Sequence, residues 1–82
     1  MDGFLYSNNS NFENKRFVTL CGKYELTSRE QEILKLLLEN LTDDEISSKL
    51  FISKPTVRFY ISNIFKKTKT NSRTETKRLF EK

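Results

Sequence analysis

From Leu26 onward the apolar residues fall into four runs with helical spacing, each introduced by a small hydroxyl residue. In LTSREQEILKLLLEN, the side chains of Ile33, Leu34, Leu37 and Leu38 line one face of a helix. Thr27 precedes Glu30 by three positions, so each side chain can bond the other's backbone N–H; this capping box predicts a helix over about Ser28 to Glu39. Asn40 tolerates a left-handed backbone and suits its end. Thr42 and Glu45 repeat the device before a helix over about Asp43 to Leu50, in which Ile46 and Leu50 share a face. Its first turn holds Asp43, Asp44 and Glu45, where negative charge meets the positive end of the helix dipole. Ser53 caps a third helix over about Lys54 to Lys67, with Pro55 in the first turn, where its missing N–H costs nothing. Ser72 and Glu75 open a last helix over about residues 73–82, with Thr76, Leu79 and Phe80 on one side. The reading is all-α, with four helices and no strand.

Residues 1–22 break this rhythm. They are rich in Asn and Ser and show no sustained helical period, so they read as an N-terminal tail or arm ahead of a domain at 23–82. The segment also contains Phe4, Leu5, Tyr6, Phe12, Phe17, Val18 and Leu20. Two readings stay open for it: a solvated arm, or an apolar strap across the folded part, with KRFVTL as a short extended stretch.

Charge sharpens the picture because it is unevenly placed. Residues 23–50 carry seven acidic groups against four basic ones, whereas residues 51–82 carry nine basic groups against Glu75 and Glu81. A positive block of this kind suits nucleic acid, an anionic membrane, or plain solvent. No apolar run approaches the roughly 18 residues that span a bilayer, and the N-terminus lacks the order of a signal peptide, so the expected compartment is cytoplasmic. The chain has no His, no glycine-rich phosphate loop, no metal-ligand cluster and a lone Cys21, which argues against an enzyme and implies no cofactor.

The second and third helices are separated only by Phe51 to Ser53, and so short a link forces a sharply angled pair, a helix-turn-helix. On the third helix Val57, Ile61 and Ile64 face one way, while Phe59 points nearly opposite, among Arg58, Ser62, Asn63 and Lys66. A basic and polar face bearing one phenyl ring fits the DNA major groove, where thymine presents a methyl group and guanine two acceptors. The plainer readings are a solvated α-hairpin, or a ring covered by the tail or by a partner protein.

These landmarks carry a family resemblance. The run Leu26 to Arg73, with LT-REQEIL, EI---L, ISKPTVR and N-I--K ending in Arg73, resembles the DNA-binding domain of LuxR/GerE-type transcription regulators, in the form of their small stand-alone members. The resemblance implies that Arg58, Phe59 and Ser62 face the groove. It also implies that Lys54, Thr56 and Lys66 approach phosphates, with Asn63 in support. It further implies a homodimer on an inverted repeat, with the last helix, through Thr76, Leu79 and Phe80, as the dimerisation element. Double-stranded DNA is the implied partner, with RNA polymerase or another regulator as further ones and no membrane contact. The alternative function is an interaction module that keeps the fold and modulates another transcription factor. Ser62, where the family is often basic, and Thr68, Thr70 and Thr76, where it is usually apolar, make the reading head and the dimer helix unusually polar.

Overall fold

The computed structural model describes residues 15–81 and is helical throughout, with no strand among the described residues. The elements are α1 (residues 15–23), α2 (Ser28–Leu38), α3 (Asp43–Leu50), α4 (Lys54–Thr68) and α5 (Arg73–Glu81). Four of them match the expected helices to within about a residue at each end. The helix count does not match: residues 15–23, read as part of a tail with KRFVTL extended, form a fifth helix. Phe4, Leu5, Tyr6 and Phe12, proposed to lie across the fold, fall outside the described residues.

The caps explain where the helices start. Thr27 Oγ1 accepts from Glu30 N at 3.2 Å while Glu30 Oε1 accepts from Thr27 N at 2.9 Å, and Thr42 and Glu45 repeat both bonds at the same lengths. Before α5 the box is displaced: Ser72 Oγ accepts from Glu75 N, but the Glu75 carboxylate reaches Asn71 N at 2.7 Å. Either arrangement satisfies N–H groups that a helix start leaves without intrahelical partners.

The core lies where α2 packs on α4 and α3 packs on both. Ile33, Leu34 and Leu37 of α2 meet Ile46 of α3 and Val57 and Ile64 of α4, all essentially without solvent contact. Leu36 is buried too, while Leu38 is only partly covered. Helix α1 closes one end. Phe17 and Tyr24 flank Phe80 with ring centroids 6.0 and 6.4 Å away, and Arg16 donates to Phe80 O at 3.3 Å and Leu79 O at 3.2 Å. A cation is thereby set on the carbonyls at the negative end of α5.

A polar joint holds α2 to α4. Glu30, 3 % exposed, accepts from Lys67 Nζ at 2.8 Å, and the same ammonium donates to Glu25 O at 3.1 Å. Burial pushes the Glu30 carboxyl up, but the bonds from Lys67 and Thr27 more than reverse this and hold it below the ordinary value. The polar residues at 68, 70 and 76 cluster: Thr68 and Thr76 hydroxyls donate to Ile64 O and Ser72 O, and the Thr70 hydroxyl lies 2.9 Å from the first and 2.8 Å from the second, donating its one proton to either.

Each connection between described helices turns through a left-handed residue, and none of these is Gly: Glu25 (φ 56°), Asn40 (70°), Phe51 (58°) and Lys69 (58°). A side chain in this conformation costs roughly 1 kcal/mol where Gly costs little, with Asn the mildest case. Glu25→Gly and Lys69→Gly are each expected to stabilise the domain by about 0.5–1 kcal/mol, measured by urea or thermal unfolding. A loss of stability from both would show that these turns carry no strain.

Candidate nucleic-acid interface

The angle between α3 and α4 is set by residues 47–53. Ser47 Oγ donates to Ile52 O at 2.8 Å and Ile52 N donates to Ser47 O at 3.1 Å, so two bonds cross the turn. Ser53 Oγ then accepts from Thr56 N at 3.3 Å and lies 2.8 Å from Thr56 Oγ1, fixing the start of α4. Ser47 was not among the residues singled out from sequence; its position five residues before Ile52, across the turn, was the available signal.

With Val57, Ile61, Ile64 and Thr68 turned into the core, α4 presents Arg58, Phe59, Ser62 and Lys66 to solvent, with Lys54, Thr56 and Asn63 partly covered along its edges. All seven residues chosen from sequence thus lie on or beside one outward strip. Phe59 is 60 % exposed and stands in a T-shaped arrangement with the Tyr60 ring, 5.5 Å between centroids. Phe51, in the turn, is 93 % exposed.

Two cations of the strip are paired with acids at the start of α3. Lys54 Nζ lies 2.9 Å from Asp44 Oδ1, and Arg58 Nε lies 3.4 Å from Asp43 Oδ2. Asp43 also accepts from Arg73 of α5, whose Nη1 donates to Leu41 O at 2.8 Å. The acidic first turn of α3 therefore does more than complement a helix dipole, because it holds side chains of α4 and α5. The Lys54–Asp44 pair, exposed on both sides, contributes at most about 1 kcal/mol and exchanges readily for another anion, such as a phosphate.

The residues assigned to dimerisation are placed differently. Thr76 is fully buried and Phe80 is 6 % exposed, both inside a single chain, and Leu79 is half-buried against the same core. Within one chain Thr76 and Phe80 are therefore core positions. The apolar face of α5 is covered by α1 and by the end of α4, and its exposed side carries Thr74, Arg78 and Glu81.

The described residues include no group of His, Cys, Asp and Glu able to hold a metal, and no helix long and apolar enough to cross a membrane. Cys21 is buried, which raises its thiol to about 11 and keeps it protonated and unreactive.

Residues 24–80 match the family described as bacterial regulatory proteins, luxR family. Among curated proteins, the spore germination protein GerE of Bacillus subtilis (strain 168) is 46 % identical over 50 residues, covering 61 % of this chain and 68 % of that one. The response regulator Rre1 of Synechocystis is 45 % identical over 53 residues, 65 % of this chain and 23 % of its own. The transcriptional regulatory protein LiaR of Bacillus subtilis is 46 % identical over 50 residues, 61 % of this chain and 24 % of its own. The match thus spans about a quarter of the length of the latter two regulators. No solved structure matches at comparable significance.

Proposed function

The chain belongs to the luxR family of bacterial regulatory proteins and is a DNA-binding regulator of transcription rather than an enzyme; from that premise we propose that it reads an operator in the major groove through the outer strip of α4. The observation that carries this reading is the exposure of Arg58 and Phe59 on one helix whose opposite face is wholly committed to the core.

The proposed division of labour follows from the chemistry of the groove. Arg58 supplies a fork of donors to O6 and N7 of a guanine, and Phe59 an apolar contact for a thymine methyl. Thr56 and Lys54 lie in the first turn of α4, where the helix dipole also favours a phosphate; Lys54 exchanges its Asp44 partner for that phosphate. Ser62, Asn63 and Lys66 extend the contact along the groove and its edge. The site is proposed to be an inverted repeat bound by two copies in the cytoplasm. With Thr76 and Phe80 inside each protomer, association falls to the polar side of α5, around Thr74, Arg78 and Glu81, and is expected to be weak away from DNA.

The exposed rings of Phe51 and Phe59 also favour a second reading, an apolar contact with another regulator or with RNA polymerase. One experiment separates the two. Selection from random duplexes is expected to enrich an inverted repeat with wild type and to lose it with Arg58→Ala, and affinity for the selected site should fall about 10³-fold or more between 50 and 200 mM salt if six or more phosphates are contacted. No enrichment by wild type, together with salt-insensitive binding of a protein partner, would overturn the proposal.

A further inference from the structure

We propose that Asp43 is a positioning residue that sets the orientation of the Arg58 guanidinium and so the base it discriminates; this rests on the base-reading role proposed for Arg58. Asp43 is the first residue of α3, and its carboxylate divides between two elements. Oδ2 takes Arg58 Nε at 3.4 Å, and Oδ1 takes Arg73, itself anchored by its bond to Leu41 O. The acceptor for Arg58 is therefore fixed at both ends, by the backbone of α3 and by a cation from α5.

The chemistry lies in which nitrogen is used. The contact with Asp43 engages Nε, leaving Nη1 and Nη2 uncommitted to this carboxylate, and such a fork of parallel donors matches O6 and N7 of guanine. Arg58 is otherwise a long, exposed side chain with rotamer freedom to lose on binding. Holding one end before DNA arrives reduces that loss and restricts which base the fork can meet. The arrangement spans 15 residues of sequence from Asp43 to Arg58 and 30 from Asp43 to Arg73, so it belongs to the folded domain and not to α4 alone.

The test is selection from random duplexes by the full chain as wild type, Asp43→Asn, Arg58→Lys and the double variant, with affinities then measured on the enriched site and its single-base variants. Wild type is expected to show a guanine position that Arg58→Lys flattens, because lysine lacks the fork. Asp43→Asn should reduce discrimination at that same position about tenfold while raising affinity for unrelated duplexes a few-fold through lost repulsion. In the Arg58→Lys background it should add no further loss of discrimination.

Unchanged base preference in Asp43→Asn, or an equal loss in both backgrounds, overturns the proposal and leaves Asp43 as a structural joint. A gain in affinity for every duplex alike, with discrimination intact, overturns it in favour of simple charge masking. A wild-type pool with no enriched motif, or a motif that Arg58→Lys does not touch, overturns the base-reading role as well. If Asp43→Asn does not fold, the Nε–H signal of Arg58 in wild type decides by NMR. It should exchange more slowly than that of exposed Arg78, and equal exchange overturns the pairing.

Discussion

Glu30→Ala is expected to destabilise the domain by about 3 kcal/mol, the lower part of the range for breaking a buried ion pair, since Lys67 keeps one side in water. Two losses combine in this variant: the carboxylate half of the capping box at Thr27, and the only protein anion within bonding distance of Lys67 Nζ among the described residues. A domain of this size has roughly 4–12 kcal/mol in total, so the change should bring many molecules close to unfolding at 37 °C. The same group governs the response to acid. Its folded pKa is lowered, so its contribution is fully present above the unfolded value of about 4.3 and is lost as pH falls through the lower folded value. Wild-type melting temperature should therefore fall below about pH 4, and the gap between wild type and Glu30→Gln should narrow over the same interval. A constant gap down to pH 2.5 would show that the ionised carboxylate contributes no pH-dependent stability.

Phe80→Ala is expected to cost about 3–5 kcal/mol, the ordinary range for removing a buried phenyl ring. The ring is held between Phe17 and Tyr24, so its removal should also detach α1, seen as loss of hydrogen-exchange protection in residues 15–23 before the rest of the domain opens. The variant separates two views of α5. If Phe80 served chiefly a subunit contact, its loss would shift the monomer–dimer equilibrium and leave the unfolding free energy of the monomer unchanged. The geometry predicts the reverse, and analytical ultracentrifugation beside urea unfolding distinguishes them.

The features legible in the sequence are those written locally. Capping boxes at Thr27 and Thr42 and the Ser53 cap involve residues three apart, and the apolar period of each following helix is carried by its own side chains. The outward position of Phe59 follows from that period alone. Helix α1 was illegible for the opposite reason. KRFVTL contains β-branched and aromatic residues with weak helix preference, and the contacts that accompany its helical form come from Arg16 and Phe17 meeting α5 more than 60 residues away. The burial of Thr76 and Phe80 within one chain was not legible because a single apolar face of a helix says that something covers it, without saying what. The Asp43 pairs were hidden likewise: three acids at a helix start have a sufficient local explanation, and only the folded chain brings Arg58 and Arg73 to one of them.

The left-handed joint at Phe51 bears on how α4 is presented. For a residue with a side chain the left-handed region is a small, steep-walled well, whereas glycine roams widely. A joint built on Phe51 and closed by the Ser47–Ile52 bonds therefore holds α4 at a narrow spread of angles to α3 before any DNA is met. Stability given up in the turn becomes precision of aim, and a complex formed by such a rigid head has less freedom left to surrender on docking.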